Sequence, residues 1–160
     1  MRLRNILIVL PAIAAVFAQA PEKLSSLAQQ ILDAQNAVRA KVNVPPLTWS
    51  DHLAEIAQQW ANHLISTGGF AHSHNPETGE NLYEIEGANA APETVINAWA
   101  SEVKNYTYST NACAGVCGHY TQLVWAATKE VGCAAAQKGR RQVWVCEYSP
   151  PGNYVGRKPY

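Results

Sequence analysis

Apolar positions recur at helical spacing in two segments of the first half of the chain. In the first segment the repeating residues are Leu24, Leu27, Ile31 and Val38, and the pattern stops at Pro45-Pro46. It begins beside Ser26 and Gln29, which are spaced as a capping box. In the second segment the stripe ends before Gly68-Gly69 and consists of Leu53, Ile56, Ala57, Trp60, Ala61 and Leu64. Ser50 or Asp51 can cap this segment, so we predict two amphipathic helices.

A third helix is predicted from Pro92 to about Lys104, because proline suits the first turn of a helix. Its apolar face consists of Val95, Ile96, Trp99 and Val103. At about 100° per residue, Glu102 falls about 20° outside that face, beside Val95. A buried carboxylate needs a partner. We therefore expect either a rim glutamate that reaches solvent, or a cation, a hydrogen-bond donor or a metal ion beside Glu102.

The last third of the chain predicts a β-hairpin. Two strand-like runs, residues 131–136 and 142–148, are joined by a short polar segment, and a further short strand is expected at residues 81–83. The hairpin brings Cys133 and Cys146 together, so we favour a Cys133–Cys146 disulfide, and elimination then pairs Cys113 with Cys117. Glu147 follows Cys146, and alternation predicts that its side chain faces solvent or the edge of the sheet.

The chain opens with a segment typical of a secretory signal peptide. Arg2 and Arg4 precede residues 6–18, which carry no charge and are too few to span a bilayer. Small residues favour cleavage after Ala18, so we predict a signal peptide at residues 1–18 and one domain at residues 19–160. Secretion leads into an oxidising compartment, where disulfides are far more common than thiolate zinc sites.

Charge and one modification motif refine this picture. The 160 residues carry twelve basic and twelve acidic side chains, and loss of the signal peptide makes the domain slightly acidic. Basic residues concentrate after Lys129, but no aromatic–basic interleaving or binding motif accompanies them, so no nucleic-acid partner is expected. The Asn105-Tyr106-Thr107 sequon predicts N-glycosylation at Asn105.

The histidines lie in two distinctive runs. His72 and His74 precede Glu80, and His119 stands in GHYTQLVW at residues 118–125. This run and CEYSPPGNY at residues 146–154 resemble the two signatures of the CAP superfamily, which gathers cysteine-rich secretory proteins, insect venom antigen 5 proteins and plant pathogenesis-related class 1 proteins. The resemblance covers about residues 27–160. It implies an α+β fold, a three-layer α-β-α sandwich with a small antiparallel sheet.

The resemblance also implies a cleft lined by His72, Glu80, Glu102 and His119. Neutral His72 and His119 would bind a divalent metal such as zinc, with the two glutamates orienting the rings. A glutamate and a histidine would alternatively act as general base and acid in a hydrolase, or the four side chains form only a polar cluster. His74 stands as an alternative to His72, because residues two apart in an extended segment point the same way.

A loop that begins at Tyr106 carries a second implication of the resemblance. Sterol-binding relatives have aromatic residues at the first, third and eighth positions of this loop, and the chain matches at Tyr106 and Tyr108 but has Cys113 at the eighth. Fatty-acid binding between the first and fourth helices, known for other relatives, leaves no motif to match. We therefore interpret the chain as a secreted, pathogenesis-related CAP protein that binds a sterol or fatty acid outside the cell and acts in defence or virulence.

On this interpretation the protein is not an enzyme. The alternatives are a metal-dependent hydrolase that uses the His/Glu cleft, and a receptor-ligand module that acts through a loop or through residues 156–160. A host receptor or a membrane component would be the partner of such a module.

Overall fold

The computed structural model describes residues 24–160, so the predicted signal peptide lies outside the described residues. The elements, in chain order, are α1 (Ser26–Ala40), β1 (Thr48–Trp49), α2 (Asp51–Thr67), β2 (Gly79–Glu86), α3 (Pro92–Ala100), a 3₁₀ helix (Ser101–Asn105), β3 (Tyr106–Thr107), β4 (Ala112–Cys113), α4 (Gly118–Leu123), β5 (Glu130–Lys138) and β6 (Arg141–Ser149). No helix in this part of the chain is long and apolar enough to cross a membrane.

The first two helices begin and end at polar caps. The Ala28 N–H donates to the Ser25 hydroxyl, so α1 is capped one residue before the predicted Ser26. The Ser50 hydroxyl caps α2, and Gly68 ends it in the left-handed conformation, with φ 76°. The predicted third helix is a single segment only to Ala100, after which the chain tightens into the 3₁₀ turn.

The main sheet has the order β1-β5-β6-β2. Strands β5, β6 and β2 are antiparallel, and the predicted hairpin is formed by β5 and β6. The expected antiparallel sheet is nevertheless mixed, because β1 pairs with β5 in parallel. The N–H groups of Thr48 and Ser50 donate to the carbonyls of Lys129 and Val131, so the edge of β5 has a short parallel partner.

Helices cover both faces of this sheet. One core cluster includes Ala57, Ala61 and Leu64 of α2 with Val143 and Val145 of β6. The larger cluster lies on the other face, where α1, α3 and α4 contribute residues that include Ile31, Val38, Val95, Ile96, Trp99, Tyr120 and Leu123. The three-layer α-β-α sandwich and the α+β class are confirmed.

Both predicted disulfides are present, Cys133–Cys146 and Cys113–Cys117. Cys133 and Cys146 are direct partners in the register of the hairpin. The amide of Gln35 in α1 lies against this disulfide, with Nε2 3.5 Å from the Cys133 sulfur. The disulfide therefore joins two central strands directly beneath α1.

The prediction that Glu147 faces solvent or a sheet edge is wrong. Its side chain is completely buried, as are its neighbours Cys146 and Tyr148. Alternation predicts exposure only when one face of a strand meets water, and β6 lies between two strands with helices on both faces. The polar residue is therefore inside the protein.

Arg39 of α1 is a second buried charge, and nothing in the sequence pattern indicates it. The guanidinium donates to the carbonyls of Pro45, Leu123, Trp125 and Thr128 at 2.8–3.2 Å. Burial lowers its pKa to about 10, so it remains charged at neutral pH. Arg39 thus joins the end of α1 to the segment that follows α4.

Candidate functional site

Glu102 and His119 form the first polar pair of the site. Glu102 lies in the 3₁₀ turn after α3, and its Oε1 is 2.7 Å from His119 Nδ1. The backbone N–H groups of His119 and Tyr120 donate to Oε2 at 3.0 and 3.2 Å. The hydrogen-bond donors expected beside Glu102 are therefore present, at the start of α4. The Trp99 ring stacks on the imidazole with a centroid separation of 6.0 Å.

His72 and Glu80 form the second pair. His72 Nδ1 is 2.5 Å from Glu80 Oε1, and the Ser73 N–H donates to both oxygens of Glu80. His74 has φ 58° and is exposed. Because this left-handed backbone breaks the extended alternation, His74 does not replace His72 as the partner of Glu80.

The two pairs meet at the beginning of β2. Asn81 follows Glu80, and its amide donates to the His119 carbonyl at 3.1 Å and to the Tyr148 hydroxyl at 3.4 Å. The four predicted cleft residues thus lie on neighbouring segments as two His–Glu pairs. Among residues 24–160, however, no three His, Cys, Asp or Glu side chains converge as a metal ion would require.

The two pairs provide only some of the ligands that a metal ion needs. Each imidazole engages a glutamate through Nδ1, which leaves Nε2 for a ligand, and such carboxylate–histidine contacts orient metal-binding rings in proteins. Zinc prefers four ligands, so His72 and His119 would need water or a bound molecule to complete its shell. Zinc binding therefore stays a prediction.

Glu147 brings a third carboxylate to this region, which sequence reasoning missed. It lies opposite Glu80 in the register of β2 and β6, and the Thr78 hydroxyl donates to its Oε2 at 2.6 Å. Its Oε1 has no hydrogen-bond partner among the described residues. Burial raises the pKa of Glu147 to about 7, and the nearby Glu80 charge adds to the rise while Thr78 opposes it.

The tyrosines of the predicted sterol loop are occupied by contacts within the protein. The Tyr106 hydroxyl donates to Asn111, and its ring tilts against Tyr120. Tyr108 stacks on Tyr160 at 4.7 Å and donates its hydroxyl to the Tyr160 carbonyl. The structure therefore places both tyrosines beside the C-terminal segment.

The predicted glycosylation site lies at the end of the 3₁₀ helix. The Asn105 side chain is half-buried, and its Nδ2 donates to the Val116 carbonyl at 2.6 Å. A glycan would replace one of the two hydrogens on this nitrogen, so the bond to Val116 would have to use the other. Glycosylation at Asn105 stays a prediction.

A groove between α1 and α3 was not predicted from the sequence. It has a volume of about 440 Å³. Its apolar lining comes from Ala34, Ala37, Val38, Ala91 and Pro92, and its polar rim from Gln30, Asp33, Lys41, Glu93 and Asn97. The helical lining residues from Gln30 to Lys41 span about 16 Å at about 1.5 Å per residue.

Comparison with known proteins connects these features to a family. The model of the cysteine-rich secretory protein family, CAP, matches residues 32–148. Pathogenesis-related protein 1 of Arabidopsis thaliana is 38% identical over 157 residues, which cover 98% of this chain and 96% of that protein. Pathogenesis-related protein 1A of Nicotiana tabacum is 44% identical over 135 residues, which cover 82% of this chain and 80% of that protein.

Solved structures share the fold. Venom allergen-like protein 4 of Schistosoma mansoni superimposes with a TM-score of 0.70 at 29% identity, over 86% of this chain and 95% of that one. The crystal structure of NaASP2 with Zn²⁺ gives a TM-score of 0.73 at 23% identity, over 89% of this chain and 90% of that one. The α-β-α sandwich, the two His–Glu pairs and these relatives agree: the chain belongs to the CAP family of cysteine-rich secretory proteins.

Proposed function

We propose that this protein is a secreted defence protein of the pathogenesis-related type that binds a fatty acid in the groove between α1 and α3. The similarity to pathogenesis-related proteins 1 and 1A supports the defence role. The two disulfides support secretion, since such bonds persist in oxidising compartments. The choice of a fatty acid as the ligand rests on the groove.

The groove suits a single acyl chain with a carboxylate at one end. Its volume of about 440 Å³ lies within the range of small-molecule sites, and alanines keep its floor open. The exposed Lys41 ends α1 at one end of the groove, where its ammonium would pair with a carboxylate. Gln30 marks the other end, about 16 Å away along the helix.

A sterol in the loop at Tyr106 has less support. Tyr106 and Tyr108 are already bonded to other residues of the protein, and Cys113 is held in a disulfide with Cys117. A sterol would need those aromatic contacts to break before the rings became its walls. A fatty acid is therefore the favoured lipid.

The test is displacement of a fluorescent fatty acid from the purified protein in vesicle-free solution. Ala37→Trp would fill the groove and abolish binding, whereas Ala40→Trp, also exposed on α1 but outside the groove, would leave it unchanged. Lys41→Glu would weaken binding roughly fivefold, as expected for a partly exposed ion pair. Equal affinity of the Ala37→Trp and unaltered proteins would overturn the assignment.

A metal-dependent hydrolase is the second candidate, and the two His–Glu pairs favour it. Both imidazoles keep Nε2 for a ligand, and the structural relative NaASP2 was solved with Zn²⁺. A bound metal would supply Lewis-acid activation of water or of a carbonyl group. Glu80 and Glu102 would hold His72 and His119 in the tautomer that presents Nε2.

A further inference from the structure

Exposed apolar side chains concentrate in two segments of the chain, residues 103–129 and 148–160. Among the described residues, seven large apolar side chains are exposed, and five lie in these segments: Val103, Tyr108, Val116, Tyr154 and Val155. The same segments contain no aspartate or glutamate. Apolar exposure and absence of acidic residues therefore coincide.

Direct contacts join the two segments into one surface. The Asn111 amide donates to the Arg157 carbonyl at 3.2 Å, and Lys158 Nζ donates to the Ser109 carbonyl. Lys158 Nζ also lies 4.4 Å above the centre of the Tyr108 ring. The C-terminal segment is thus fastened along the loop that follows β3.

Val155 lies at the tip of a tight turn on this surface. The Arg157 N–H donates to the Tyr154 carbonyl at 3.0 Å, and Gly156 has φ 79°, as the third position of a type II turn requires. Val155 occupies the second position and is fully exposed, at 102% of its reference area. The turn therefore projects an aliphatic side chain into solvent.

The residues around this tip complete a mixed apolar and basic surface. Arg157 lies over the Tyr154 ring, 5.4 Å from its centre. Both residues line a cavity of about 250 Å³ together with Cys117, which follows the exposed Val116. We define the Val155 face as Tyr108, Tyr154, Val155, Arg157 and Lys158.

We propose that the Val155 face docks the protein on an anionic lipid bilayer. Arg157 and Lys158 are exposed and would lie at the level of the headgroups, where each basic residue attracts anionic lipid. Tyr108 and Tyr154 would occupy the interface, which suits rings with one polar end. Val155 would insert among the acyl chains. A side chain that projects from the surface can insert into a deformable bilayer, whereas a partner protein would need a complementary pocket for it.

The acidic residues that flank the two segments in sequence are not part of the Val155 face, so they add no negative charge to the face itself. The Glu102 carboxylate is held by His119 and by two backbone N–H groups, and Glu147 is completely buried. Glu130 begins β5 beside the exposed Lys129. Docking uses none of the residues that line the groove between α1 and α3. It therefore goes beyond fatty-acid binding and does not depend on it.

Cosedimentation with vesicles tests the proposal. The full mature protein would bind vesicles of phosphatidylcholine with phosphatidylglycerol, would bind phosphatidylcholine alone much less, and would dissociate as salt is added. Val155→Asp would lower the partition coefficient by about tenfold through loss of apolar insertion. The double variant Arg157→Glu, Lys158→Glu would lower it by at least about tenfold through charge reversal.

Matched control variants distinguish binding through the Val155 face from nonspecific adsorption to vesicles. Phe70→Asp changes an exposed apolar residue elsewhere, and the pair Lys138→Glu, Arg140→Glu reverses two exposed charges at the hairpin tip. Both controls would keep vesicle binding, and near-ultraviolet circular dichroism would confirm that every variant is folded.

Three results would overturn the proposal: no binding to anionic vesicles, unchanged binding of Val155→Asp, or equal losses in the controls. Fatty-acid binding is scored separately, since Ala37→Trp should still bind vesicles and Val155→Asp should still bind fatty acid.

Discussion

Glu147 and Glu80 lie directly opposite each other on β6 and β2, and both carboxylates are nearly or completely removed from solvent. Glu80 is occupied by His72 and by the Ser73 N–H, whereas Oε1 of Glu147 has no partner among the described residues. A proton on Glu147 would relieve the repulsion between the two carboxylates. The pair is therefore a place where protonation and folding are coupled.

The pH dependence of stability should show this coupling. Because the pKa of Glu147 is raised from 4.5 to about 7, the folded protein binds a proton that the unfolded chain has released, and stability falls as pH rises through this window. The loss is on the order of 3 kcal/mol between pH 4.5 and pH 7. Glu147→Gln should remove this fall, as measured by urea unfolding across the pH range.

The matched control for this experiment is Glu86→Gln, an exposed glutamate on β2. It should keep the pH dependence of the unaltered protein. A parallel fall in stability for Glu147→Gln and the unaltered protein would contradict the coupling.

Arg39 should be among the most sensitive positions for stability. Arg39→Ala would remove the side-chain donor from the carbonyls of Leu123 and Thr128 and would leave the Trp125 carbonyl with only the Thr128 N–H, at a cost of roughly 3–5 kcal/mol. Arg39→Lys would recover only part of this loss, because the single ammonium group of lysine cannot reach all the carbonyls that the guanidinium bonds. Chemical denaturation measures both, and Arg140→Ala, an exposed arginine, should change little.

Gly132 is required by the close approach of α2 to β5. A Cβ atom at this position would lie 2.1 Å from the Ala54 nitrogen and 2.5 Å from the Ser50 carbonyl oxygen. Because both are backbone atoms, Gly132→Ala should destabilise the protein by roughly 3 kcal/mol or more. Gly69→Ala meets only ordinary contact and should be tolerated. Equal thermal midpoints for the two variants would refute this packing argument.

Zinc titration calorimetry tests the two His–Glu pairs. His72→Ala and His119→Ala should each lower zinc affinity by more than about tenfold, and Glu102→Gln should lower it by roughly tenfold by releasing the His119 ring. His74→Ala is the matched control, since His74 is exposed and lies outside the pair with Glu80. Unchanged affinity in His72→Ala would exclude His72 as a ligand.

Local patterns predict the parts of the fold that are themselves local. The helical stripe of α2, its cap at Ser50 and its end at Gly68 follow from spacing and backbone chemistry within one segment. The hairpin likewise brings Cys133 and Cys146 into register from sequence alone. Glu102 stood out because a carboxylate beside an apolar face needs a donor, and the donors are present.

The parts that were missed depend on packing between distant segments. In the sequence Glu147 and Arg39 resemble ordinary surface residues. They are buried because the two helical layers and the central strands of the sheet enclose them. Strand β1 and helix α4 have two and six residues, too few to show a hydrophobic period. The groove beside Lys41 exists only once α1 and α3 lie side by side.

The position of β2 at the edge of the main sheet also bears on solubility. An edge strand of eight residues is a template onto which another chain can add. Here the Trp99 indole N–H donates to the Leu82 carbonyl, the Glu84 carboxylate pairs with Arg141, and the exposed Glu86 adds a negative charge at the end of the strand. A second copy approaching edge to edge would meet an acceptor that is already hydrogen-bonded and charged side chains along the strand. The same strand that carries Glu80 into the site is therefore guarded against aggregation.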